Sequence, residues 1–423
     1  MSVSTLCVIG LGYIGLPTAA TFASRGRHVI GVDINPHAVD RINLGQVHIV
    51  EPQLEQLVHA VVSQGYLRAT TRPEPADAFL IAVPTPLTEN REPDLSCIEA
   101  ACRAIAPVLK KKDLVVLEST SPVGTTEGVA QWLARARPDL TFPATHGQAS
   151  DIRIAHCPER VLPGHVLREL VTNDRIIGGM TPACSAAAVQ LYQQFVEGQC
   201  IVTDTRTAEM CKLVENSFRD VNIAFANELS MICAPLKINP WELIRLANHH
   251  PRVNILQPGP GVGGHCIAVD PWFIVSKSPD CAQLIRTARE VNARKSQWVI
   301  EQVKLAVADL LFRQPGLSAH TVRIACYGLA FKADIDDLRE SPSVAIARQL
   351  AAELGVTLLL VEPNIDALPA ELRGHALTDI ACARESAHIH VVLVGHREFR
   401  SMPTLHPHGV VIDAAGVLAD VNG

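Results

Sequence analysis

A cysteine follows a glycine-rich run near the middle of the chain, in QPGPGVGGHCIAVDP at residues 257–271. Glycine lets a backbone pass close to a neighbouring group, and a thiolate can act as a nucleophile or bind a metal. Cys266, with Asp270 four residues later, is therefore a candidate nucleophile, a candidate metal ligand or a packing residue. The adjacent His265 would suit zinc, but no further ligand spacing and no CxxC pair supports a metal. We predict no metal site.

A second group of polar residues is spaced for one face of a helix. Lys212, Asn216 and Arg219 are four and three positions apart. Residues 206–234 contain neither glycine nor proline, which predicts one long helix with Pro235 near its end. A lysine with an asparagine one turn away could carry a proton and orient a partner. A solvent-exposed polar face explains the same pattern, and both interpretations stay open at this point.

A dinucleotide motif lies at the start of the chain. GLGYIG places Gly10, Gly12 and Gly15 in G-x-G-x-x-G spacing between an apolar run and a helical pattern, and Asp33 ends the next apolar run. In this context the glycines allow the tight turn, the approach of a pyrophosphate and the packing of helix on strand. Because a carboxylate accepts hydrogen bonds from a ribose hydroxyl and repels a 2′-phosphate, we expect NAD rather than NADP.

Two further loops fit the same site. VPTP and ESTSPVGTT follow what we predict as the third and fourth strands, at the sheet edge where ligands bind. Thr85, Thr120 and Thr126 could donate hydrogen bonds to a cofactor or a substrate. Each of them could equally cap a helix.

The elements that must position these residues form three segments. Near-continuous apolar strands alternate with helical patterns in the first segment, which predicts a buried, doubly wound parallel sheet. The middle segment reads as helical, and the alternation restarts in VRIACYGLA, TLLLVEPNI, HIHVVLVGH and GVVIDAAG. We therefore predict an α/β fold with two Rossmann-like domains, at residues 1–197 and 306–423, joined by a central helical domain at residues 198–305.

Composition narrows the class of protein. The chain of 423 residues is 48% hydrophobic and 19% charged, which suits substantial cores. A net charge of -6 gives no reason to expect nucleic acid or an anionic membrane as a partner. Twelve scattered cysteines do not suggest a disulfide framework. The sequence shows no signal peptide and no apolar run long enough to span a membrane, so we expect a cytoplasmic enzyme without membrane insertion.

Taken in order, the motifs resemble the UDP-glucose/GDP-mannose dehydrogenase family over nearly the whole chain. The resemblance rests on GLGYIGLP, VPTP, ESTSPVGTT, CPERVLPG, AEMCKLVENSFRDVNIAFANE, PGPGVGGHCIAVDP and GLAFKADIDDLRESPS. It implies oxidation of the C6 hydroxyl of a nucleotide sugar to a carboxylate with two NAD. The stretch HPRVNILQPGPGVGGHCIAVDPWFIV is similar to the branch that acts on UDP-N-acetyl-D-mannosamine. The resemblance also implies a homodimer built on the long helix, a UDP-sugar site in the third domain and a role in polysaccharide biosynthesis.

The resemblance implies roles for individual residues. The implied catalytic residues are the nucleophile Cys266, the acid/base Lys212, Asn216 and Asp270, which position water or polarise intermediates, and Glu159, which assists thioester hydrolysis. The implied cofactor-binding residues are Gly10, Gly12, Tyr13, Ile14, Gly15, Asp33, Thr85, Thr126 and Arg339. The implied substrate-binding residues are Arg160, Val161, Lys212, Asn216, Arg219, His250, Arg252, Gly263, Phe331 and Lys332. Arg252 is expected to reach the active site of a neighbouring subunit.

One position departs from the family pattern, and other functions fit parts of the sequence. Ala333 follows Lys332 where the family usually has proline, which would fix the backbone beside the lysine. UDP-N-acetylglucosamine or another nucleotide sugar is an alternative substrate. A one-step alcohol dehydrogenase or an epimerase would need Cys266 only for packing, and a non-catalytic NAD sensor would make both Lys212 and Cys266 coincidental.

Overall fold

The computed structural model describes residues 3–162, 164–264, 266–400 and 409–417. They fall into two compact units. The first comprises Met1–Glu215 with Trp272–Ser278, and the second comprises Asn216–Pro271 with Pro279–Gly423. His265, which the sequence raised as a zinc ligand, lies outside the described residues.

The first unit contains an eight-stranded sheet in the order β3-β2-β1-β4-β5-β6-β7-β8. Its strands are β1 Thr5–Ile9, β2 His28–Val32, β3 Leu67–Thr70, β4 Ala78–Ile81, β5 Leu114–Leu117, β6 Arg153–His156, β7 Arg175–Gly179 and β8 Cys200–Asp204. All neighbouring strands are parallel except β6 and β7, which pair antiparallel. The strand order reverses direction between β1 and β4, which is where open α/β sheets bind ligands.

Helices cover both faces of this sheet. They are α1 Gly15–Ser24, α2 Pro36–Asn43, α3 Leu54–Ser63, α4 Ser96–Ile105, α5 Thr125–Ala136, α6 Pro143–His146, α7 Val166–Thr172 and α8 Pro182–Tyr192. Successive residues of a strand point to opposite faces. Accordingly, Leu6 and Val8 belong to one buried cluster while Cys7 and Ile9 belong to another. The doubly wound architecture predicted from the sequence is confirmed.

The middle of the chain is helical. Its helices are α9 Thr205–Leu236, α10 Pro240–Ala247, α11 Asp270–Lys277 and α12 Gln283–Arg313. The long helix predicted for residues 206–234 is confirmed, and Pro235 lies inside its last turn. Lys237 then takes a left-handed conformation with φ 57°, which ends the helix. The boundary between the two units falls within α9, between Glu215 and Asn216.

The second unit ends in a four-stranded parallel sheet in the order β10-β9-β11-β12. The strands are β9 Arg323–Tyr327, β10 Thr357–Val361, β11 Ile389–Val392 and β12 Val410–Asp413, and the helices are α13 Pro342–Leu354, α14 Ile380–Ser386 and α15 Arg397–Arg400. Short 3-10 helices occur at Ala106–Val108, Gly147–Ala149, Ala319–Thr321 and Ala370–Leu372. Among the described residues, no helix combines the length and hydropathy needed to cross a bilayer.

One expectation about the first sheet was wrong. VPTP and ESTSPVGTT follow the fourth and fifth strands, β4 and β5, and not the third and fourth. The miscount arises because β3 has only four residues, one of which is the exposed Arg68, so it lacks the continuous apolar run that marks a central strand.

Candidate active site

The loop between β1 and α1 leaves room for a ligand at one glycine and requires glycine at two others. Gly10 has φ 91°, and a Cβ there would lie 2.5 Å from the carbonyl oxygen of Ala82. A Cβ at Gly15 would overlap the carbonyl oxygen of Gly10. By contrast, no atom lies within 4 Å of the space that a Cβ on Gly12 would occupy. The backbone at Gly12 is thus open to a pyrophosphate at the start of α1.

Asp33 organises this loop from the end of β2. Its Oδ2 accepts the backbone N–H of Leu11 at 3.0 Å, and its Oδ1 accepts that of Asn35 at 2.9 Å. The carboxylate is only half-buried. Because each carboxylate oxygen accepts more than one hydrogen bond, Asp33 keeps acceptor capacity for the ribose hydroxyls of NAD.

Other predicted cofactor contacts lie in the same unit. Thr85 carries a buried hydroxyl that makes no hydrogen bond to the residues that the structure describes. Since buried hydroxyls are normally paired, this group suits a hydrogen bond to a bound cofactor. Tyr13 and Ile14 are half-buried where α1 begins, with Tyr13 packed against the core. The open backbone at Gly12 and the orphaned hydroxyl of Thr85 both fit NAD.

Thr126 is held by a residue that the sequence reasoning did not single out. Its hydroxyl and its backbone N–H both donate to Oε1 of Glu209, at 2.6 and 2.7 Å. Oε2 of Glu209 accepts the N–H of Gly124 at 2.6 Å. Glu209 lies on α9 and therefore caps the N-terminus of α5. Burial raises the pKa of Glu209, although its hydrogen bonds to Thr126 and Gly124 oppose the shift.

Glu159 belongs to a buried polar cluster at the ends of β5 and β6. Its Oε2 accepts from Nη1 of Arg175 at 2.5 Å, and both side chains are almost fully buried. Glu118 accepts the hydroxyl of Tyr192 at 2.5 Å through Oε1, while its buried Oε2 has no partner among the described residues. Burial, with the charge of Glu159, raises the pKa of Glu118 to about 7. The cluster holds the Glu159 carboxylate in a fixed position.

The remaining predicted residues of the first unit are more accessible. Arg160 forms an ion pair with Glu215 of α9 at 2.7 Å. Val161 packs partly against the core, and Lys212 is half-buried on α9. Arg160 and Lys212 can therefore donate to an anionic ligand, Arg160 after changing its partner.

Asn216 and Asp270 are brought together in the second unit. Nδ2 of Asn216 donates to Oδ2 of Asp270 at 2.5 Å, and both residues are buried. Arg219 is exposed, so the three-residue stripe of α9 does not share one environment. Asn216 was read as an orienting residue, and its bond to Asp270 is compatible with that role.

Cys266 lies where the glycine-rich segment enters a helical turn. Its carbonyl oxygen accepts the N–H of Asp270 at 2.9 Å, so the cysteine stands one turn before the start of α11. The residue is exposed. Cys266 and Asp270 are thus kept close by local backbone geometry, as their spacing in the sequence suggested.

The glycines before Cys266 pack closely against other parts of the same unit. A Cβ at Gly263 would lie 2.5 Å from the carbonyl oxygen of Glu340 and 2.8 Å from Cβ of Phe331. Gly264 has φ 78°, a Cβ on it would lie 3.0 Å from the ring of Phe331, and its N–H donates to the carbonyl oxygen of Arg339 at 3.2 Å. These glycines are required by packing against the protein's own chain, and no substrate is needed to explain them.

The loop that carries Phe331 and Lys332 has the same backbone plan as the cofactor loop. Gly328 has φ 91° like Gly10, and Oε2 of Glu362 accepts the N–H groups of Leu329 and Ala330 at 2.7 and 3.0 Å. Glu362 follows β10 as Asp33 follows β2, but Glu362 is buried. Its Oε2 also contacts Nε2 of the buried His396 at 3.0 Å. The carboxylate is therefore enclosed, and its Oε1 also accepts two hydrogen bonds from Asn364.

The other predicted substrate and cofactor residues in this unit lie in different environments. Phe331 is half-buried and Lys332 is exposed. Ala333, where the family usually has proline, packs partly against the core. Arg339 pairs with Asp337 at 2.6 Å. His250 and Arg252 are exposed beyond the end of α10, and the N–H of Arg252 donates to Nδ1 of His250 at 3.3 Å.

A glycine loop ordered by an acidic residue at the end of the second strand, with an orphaned hydroxyl in the same unit, is typical of the dinucleotide site of an NAD-dependent oxidoreductase. The chain belongs to the UDP-glucose/GDP-mannose dehydrogenase family, because the family's NAD binding domain matches residues 4–196, its central domain residues 206–294 and its UDP binding domain residues 325–420. It carries out NAD-dependent oxidation of a nucleotide sugar, as the sequence predicted.

Similar proteins span the whole chain. An NDP-N-acetyl-D-galactosaminuronic acid dehydrogenase from Ralstonia nicotianae is 65% identical over 98% of this chain and 96% of its own. A UDP-N-acetyl-D-mannosamine dehydrogenase from Yersinia pestis is 62% identical over 99% of this chain and 100% of its own. The solved UDP-D-ManNAc dehydrogenase from Pyrococcus horikoshii superposes with a TM-score of 0.88 at 37% identity, over 98% of this chain and 96% of that one.

Sequence reasoning missed several residues that hold the candidate site residues in place. They are Glu209, Arg175, Glu362, His396 and Asn227. Most of these contacts join distant parts of the chain, and no local spacing announces them. Asn227 is different, since it lies eleven positions after Asn216 on α9, and that separation signals a shared helical face.

Proposed function

We propose that the chain oxidises the C6 hydroxyl of UDP-N-acetyl-D-mannosamine to a carboxylate, giving UDP-N-acetyl-D-mannosaminuronate. The observation that carries this proposal is the buried bond between Asn216 and Asp270, one helical turn from Cys266 along one chain segment and one turn from Lys212 along α9. A nucleophile, a proton carrier and two orienting groups are what an alcohol-to-acid oxidation requires.

Bound NAD supplies a two-electron acceptor, and two molecules account for the four electrons between alcohol and acid. Gly12 and Asp33 would hold its pyrophosphate and ribose. Lys212 takes the proton of the C6 hydroxyl as the alcohol becomes an aldehyde. The half-buried position of Lys212 lets the ammonium group return that proton to solvent.

Cys266 then changes the aldehyde into an oxidisable adduct. Its thiolate adds to C6, a C–S bond forms, and the former carbonyl oxygen takes a proton to give a thiohemiacetal. Removal of two electrons and two protons from this adduct leaves a thioester. Water adds to the thioester carbonyl, the C–S bond breaks, and the products are the carboxylic acid, the thiolate of Cys266 and one proton, which passes to solvent.

The neighbouring residues position these steps. Asn216 and Asp270 hold water and polarise the intermediates, and Glu159, fixed by Arg175, assists thioester hydrolysis. The nucleotide diphosphate requires cations. The substrate contacts belonging to this proposal are Arg160, Val161, Lys212, Asn216, Arg219, His250, Arg252, Gly263, Phe331 and Lys332.

The proposal includes a homodimer. Apolar side chains stand exposed along α9, with Phe218 at 67%, Phe225 at 50% and Leu236 at 62% exposure. A contiguous exposed apolar face is typical of a protein interface, and a second copy of the helix would cover it. Arg252, exposed after α10, then reaches the active site of the partner, and Arg339 reaches the cofactor. The three predicted domains, at residues 1–197, 198–305 and 306–423, divide these roles among cofactor, dimerisation and UDP-sugar.

A second candidate substrate follows from the comparisons. The Ralstonia relative is named for an N-acetylgalactosaminuronic acid, at an identity similar to that of the mannosamine enzyme. The same residues would oxidise C6 of a UDP-N-acetyl sugar of either configuration, because C6 chemistry does not depend on the ring epimer. UDP-N-acetylglucosamine is a further alternative.

Kinetics on a panel of sugar nucleotides tests the proposal. The purified protein is assayed with NAD and UDP-N-acetylmannosamine, UDP-N-acetylgalactosamine or UDP-N-acetylglucosamine, and kcat/KM and NADH per sugar are measured. We expect the highest kcat/KM on the mannosamine compound, with two NADH for each sugar. A higher kcat/KM on the galactosamine compound would establish the second candidate, and one NADH per sugar would favour a one-step dehydrogenase.

A further inference from the structure

A set of buried hydrogen bonds connects α9 to residues 257–271, the Cys266 segment. Asn227 is fully buried, and its Oδ1 accepts the backbone N–H of Gly259 at 2.9 Å. Its Nδ2 donates to Oδ1 of Asn292 on α12 at 2.9 Å. Because an N–H group can only donate, the amide oxygen of Asn227 must face Gly259, and the amide orientation is fixed from both sides.

The far side of this set of bonds is anchored by charge. Nδ2 of Asn292 donates to the backbone oxygen and to Oδ1 of Asp220 at 3.1 and 2.8 Å. Oδ1 of Asp220 also accepts from Nη1 of Arg289 at 2.6 Å, and both charged residues are buried. Within this network, hydrogen bonds on both sides of the Asn227 amide hold that side chain in one orientation. Asn227 is therefore a rigid attachment point.

Two asparagines of α9 hold the two ends of the Cys266 segment. Asn227 binds Gly259 upstream, and Asn216 binds Asp270 downstream. Eleven residues make about three helical turns, or roughly 16 Å, so the two side chains leave the same face of the helix. Residues 260–264 have no regular secondary structure, and Cys266 lies in a turn.

We propose that Asn227 is a positioning residue that keeps Cys266 within reach of the C6 aldehyde. This inference rests on the proposed function, in which the thiolate must capture the aldehyde before it leaves. A glycine-rich segment has wide conformational freedom, and the bond to Gly259 restricts it. Ser296 supplies a second attachment, since its hydroxyl donates to the carbonyl oxygen of Pro260 at 2.7 Å.

The variant Asn227→Ala tests this inference, with Ser230→Ala as its matched control. Ser230 is buried on the same helix, donates to the backbone oxygen of Asn227 and accepts from Lys295, and it forms no hydrogen bond with the described residues of the Cys266 segment. Three quantities are measured for both variants: amide hydrogen exchange over residues 254–264, the KM for the sugar nucleotide, and NADH per sugar with aldehyde trapped by hydroxylamine. We expect about tenfold faster exchange in Asn227→Ala, as for the loss of one buried hydrogen bond. Its NADH yield should fall from two toward one, with aldehyde trapped and KM changed little.

The control and a second variant separate the possible failures. Ser230→Ala should keep slow exchange and two NADH per sugar. If Asn227→Ala matches Ser230→Ala in both the rate of amide exchange and the NADH per sugar, the inference is overturned. If exchange accelerates but wild type makes only one NADH, the attachment is real and the covalent function is wrong. Should Asn227→Ala fail to fold, Ser296→Ala, from a half-buried site, must show the same shift in exchange and yield, and its absence would also overturn the inference.

Discussion

The carboxylate of Asp33 serves both the protein and the proposed cofactor. It accepts the N–H of Leu11, and so shapes the loop between β1 and α1, while it keeps acceptor capacity for the proposed ribose hydroxyls. A residue with both tasks should be more sensitive to substitution than either contact alone would suggest.

We predict that Asp33→Ala raises the KM for NAD at least tenfold and narrows the preference over NADP. A hydrogen bond to a charged group contributes about 1.5–3 kcal/mol, which corresponds to tenfold or more. Asp33→Asn keeps an acceptor for the N–H of Leu11, so its KM for NAD should lie between those of wild type and Asp33→Ala. Steady-state kinetics with both cofactors measure the effect, with Asp40→Ala, exposed on α2, as the control. A wild type that prefers NADP would refute the assignment.

Glu118 makes the stability of the first unit depend on pH. Burial, with the nearby Glu159, raises its pKa from an ordinary 4.5 to about 7. The folded state then binds a proton that the unfolded state releases between these values. The contribution of Glu118 to the free energy of unfolding is therefore greatest below pH 4.5, and it falls as the pH rises through 7.

Glu118→Gln should remove this dependence, since glutamine keeps an acceptor for Tyr192 and cannot ionise. We expect the free energy of unfolding of the variant, relative to wild type, to increase by roughly 2–3 kcal/mol between pH 5 and pH 8. Urea unfolding at a series of pH values measures it, and Glu197→Gln, at an exposed position, is the control. Parallel pH profiles for Glu118→Gln and wild type would show that Glu118 does not titrate in this range.

Helix α9 carries or holds in place several residues of the candidate site, and no sequence motif indicated how many. It carries Lys212 and Asn216, caps α5 through Glu209 and attaches the Cys266 segment through Asn227. The loops after β1 and β9 form a second common theme, each ordered by an acidic residue after the following strand. The acidic residue is open to a ligand in the first loop and enclosed in the second.

Glu362→Gln should therefore damage the loop after β9, whose Leu329 and Ala330 N–H groups Glu362 accepts. Burial opposes ionisation of Glu362, but bonds from His396, Leu329 and Ala330 outweigh it and lower the pKa to about 2. The ionised carboxylate thus stabilises the fold above pH 4.5, and that contribution is lost as the pH falls from 4.5 toward 2. At pH 7 we expect a loss of roughly 3 kcal/mol, together with a higher KM for the sugar nucleotide.

Urea unfolding and steady-state kinetics at pH 7 check this prediction. Glu371→Gln, at an exposed position in the same unit, should change neither quantity. Unchanged stability and an unchanged KM in Glu362→Gln would mean that the carboxylate does not order the loop.

The elements differ in how far the sequence predicts them. A run without glycine or proline predicted both ends of α9 to within about two residues, because nothing inside such a run interrupts a helix. The strands β3, β6, β7 and β8 were not predicted from the sequence, because they are short or partly exposed and carry no long apolar run. The GxGxxG spacing placed the cofactor loop, since Gly10 and Gly15 meet local steric demands and Gly12 leaves open space.

The attachments of the site residues could not be predicted. Arg175 meets Glu159, and Glu209 meets Thr126, only because distant elements fold together. The glycines before Cys266 show a related limit. Their number pointed to a close approach, but only the structure shows that the approaching group is the protein's own segment around Phe331 and Glu340.

At the scale of the whole molecule, the proposed function includes a homodimer in which Arg252 of one subunit serves the active site of the other. Arg252→Ala and Cys266→Ser should each abolish turnover alone. In a purified heterodimer of the two variants, one site regains both an intact Cys266 and the partner's intact arginine. We expect about half of wild-type activity per dimer, because one of its two sites is complete.

Differently tagged subunits, co-expressed and purified through both tags, provide the heterodimer. A heterodimer of wild type with Cys266→Ser, which keeps one complete site in either case, is the control. If Arg252 serves its own subunit, neither site of the mixed-variant heterodimer is complete, and that heterodimer will be inactive.

The most direct test of the covalent mechanism counts NADH per sugar nucleotide in wild type, Cys266→Ser and the control Cys281→Ser, whose side chain is exposed elsewhere. Wild type and Cys281→Ser should give two NADH for each UDP-N-acetylmannosamine, with the acid as product. Because a serine hydroxyl ionises far less readily than a thiol and leaves poorly, Cys266→Ser should lose steady formation of the acid, and mass spectrometry should find any acyl-serine trapped on residue 266. Undiminished acid formation with two NADH by Cys266→Ser would contradict the account.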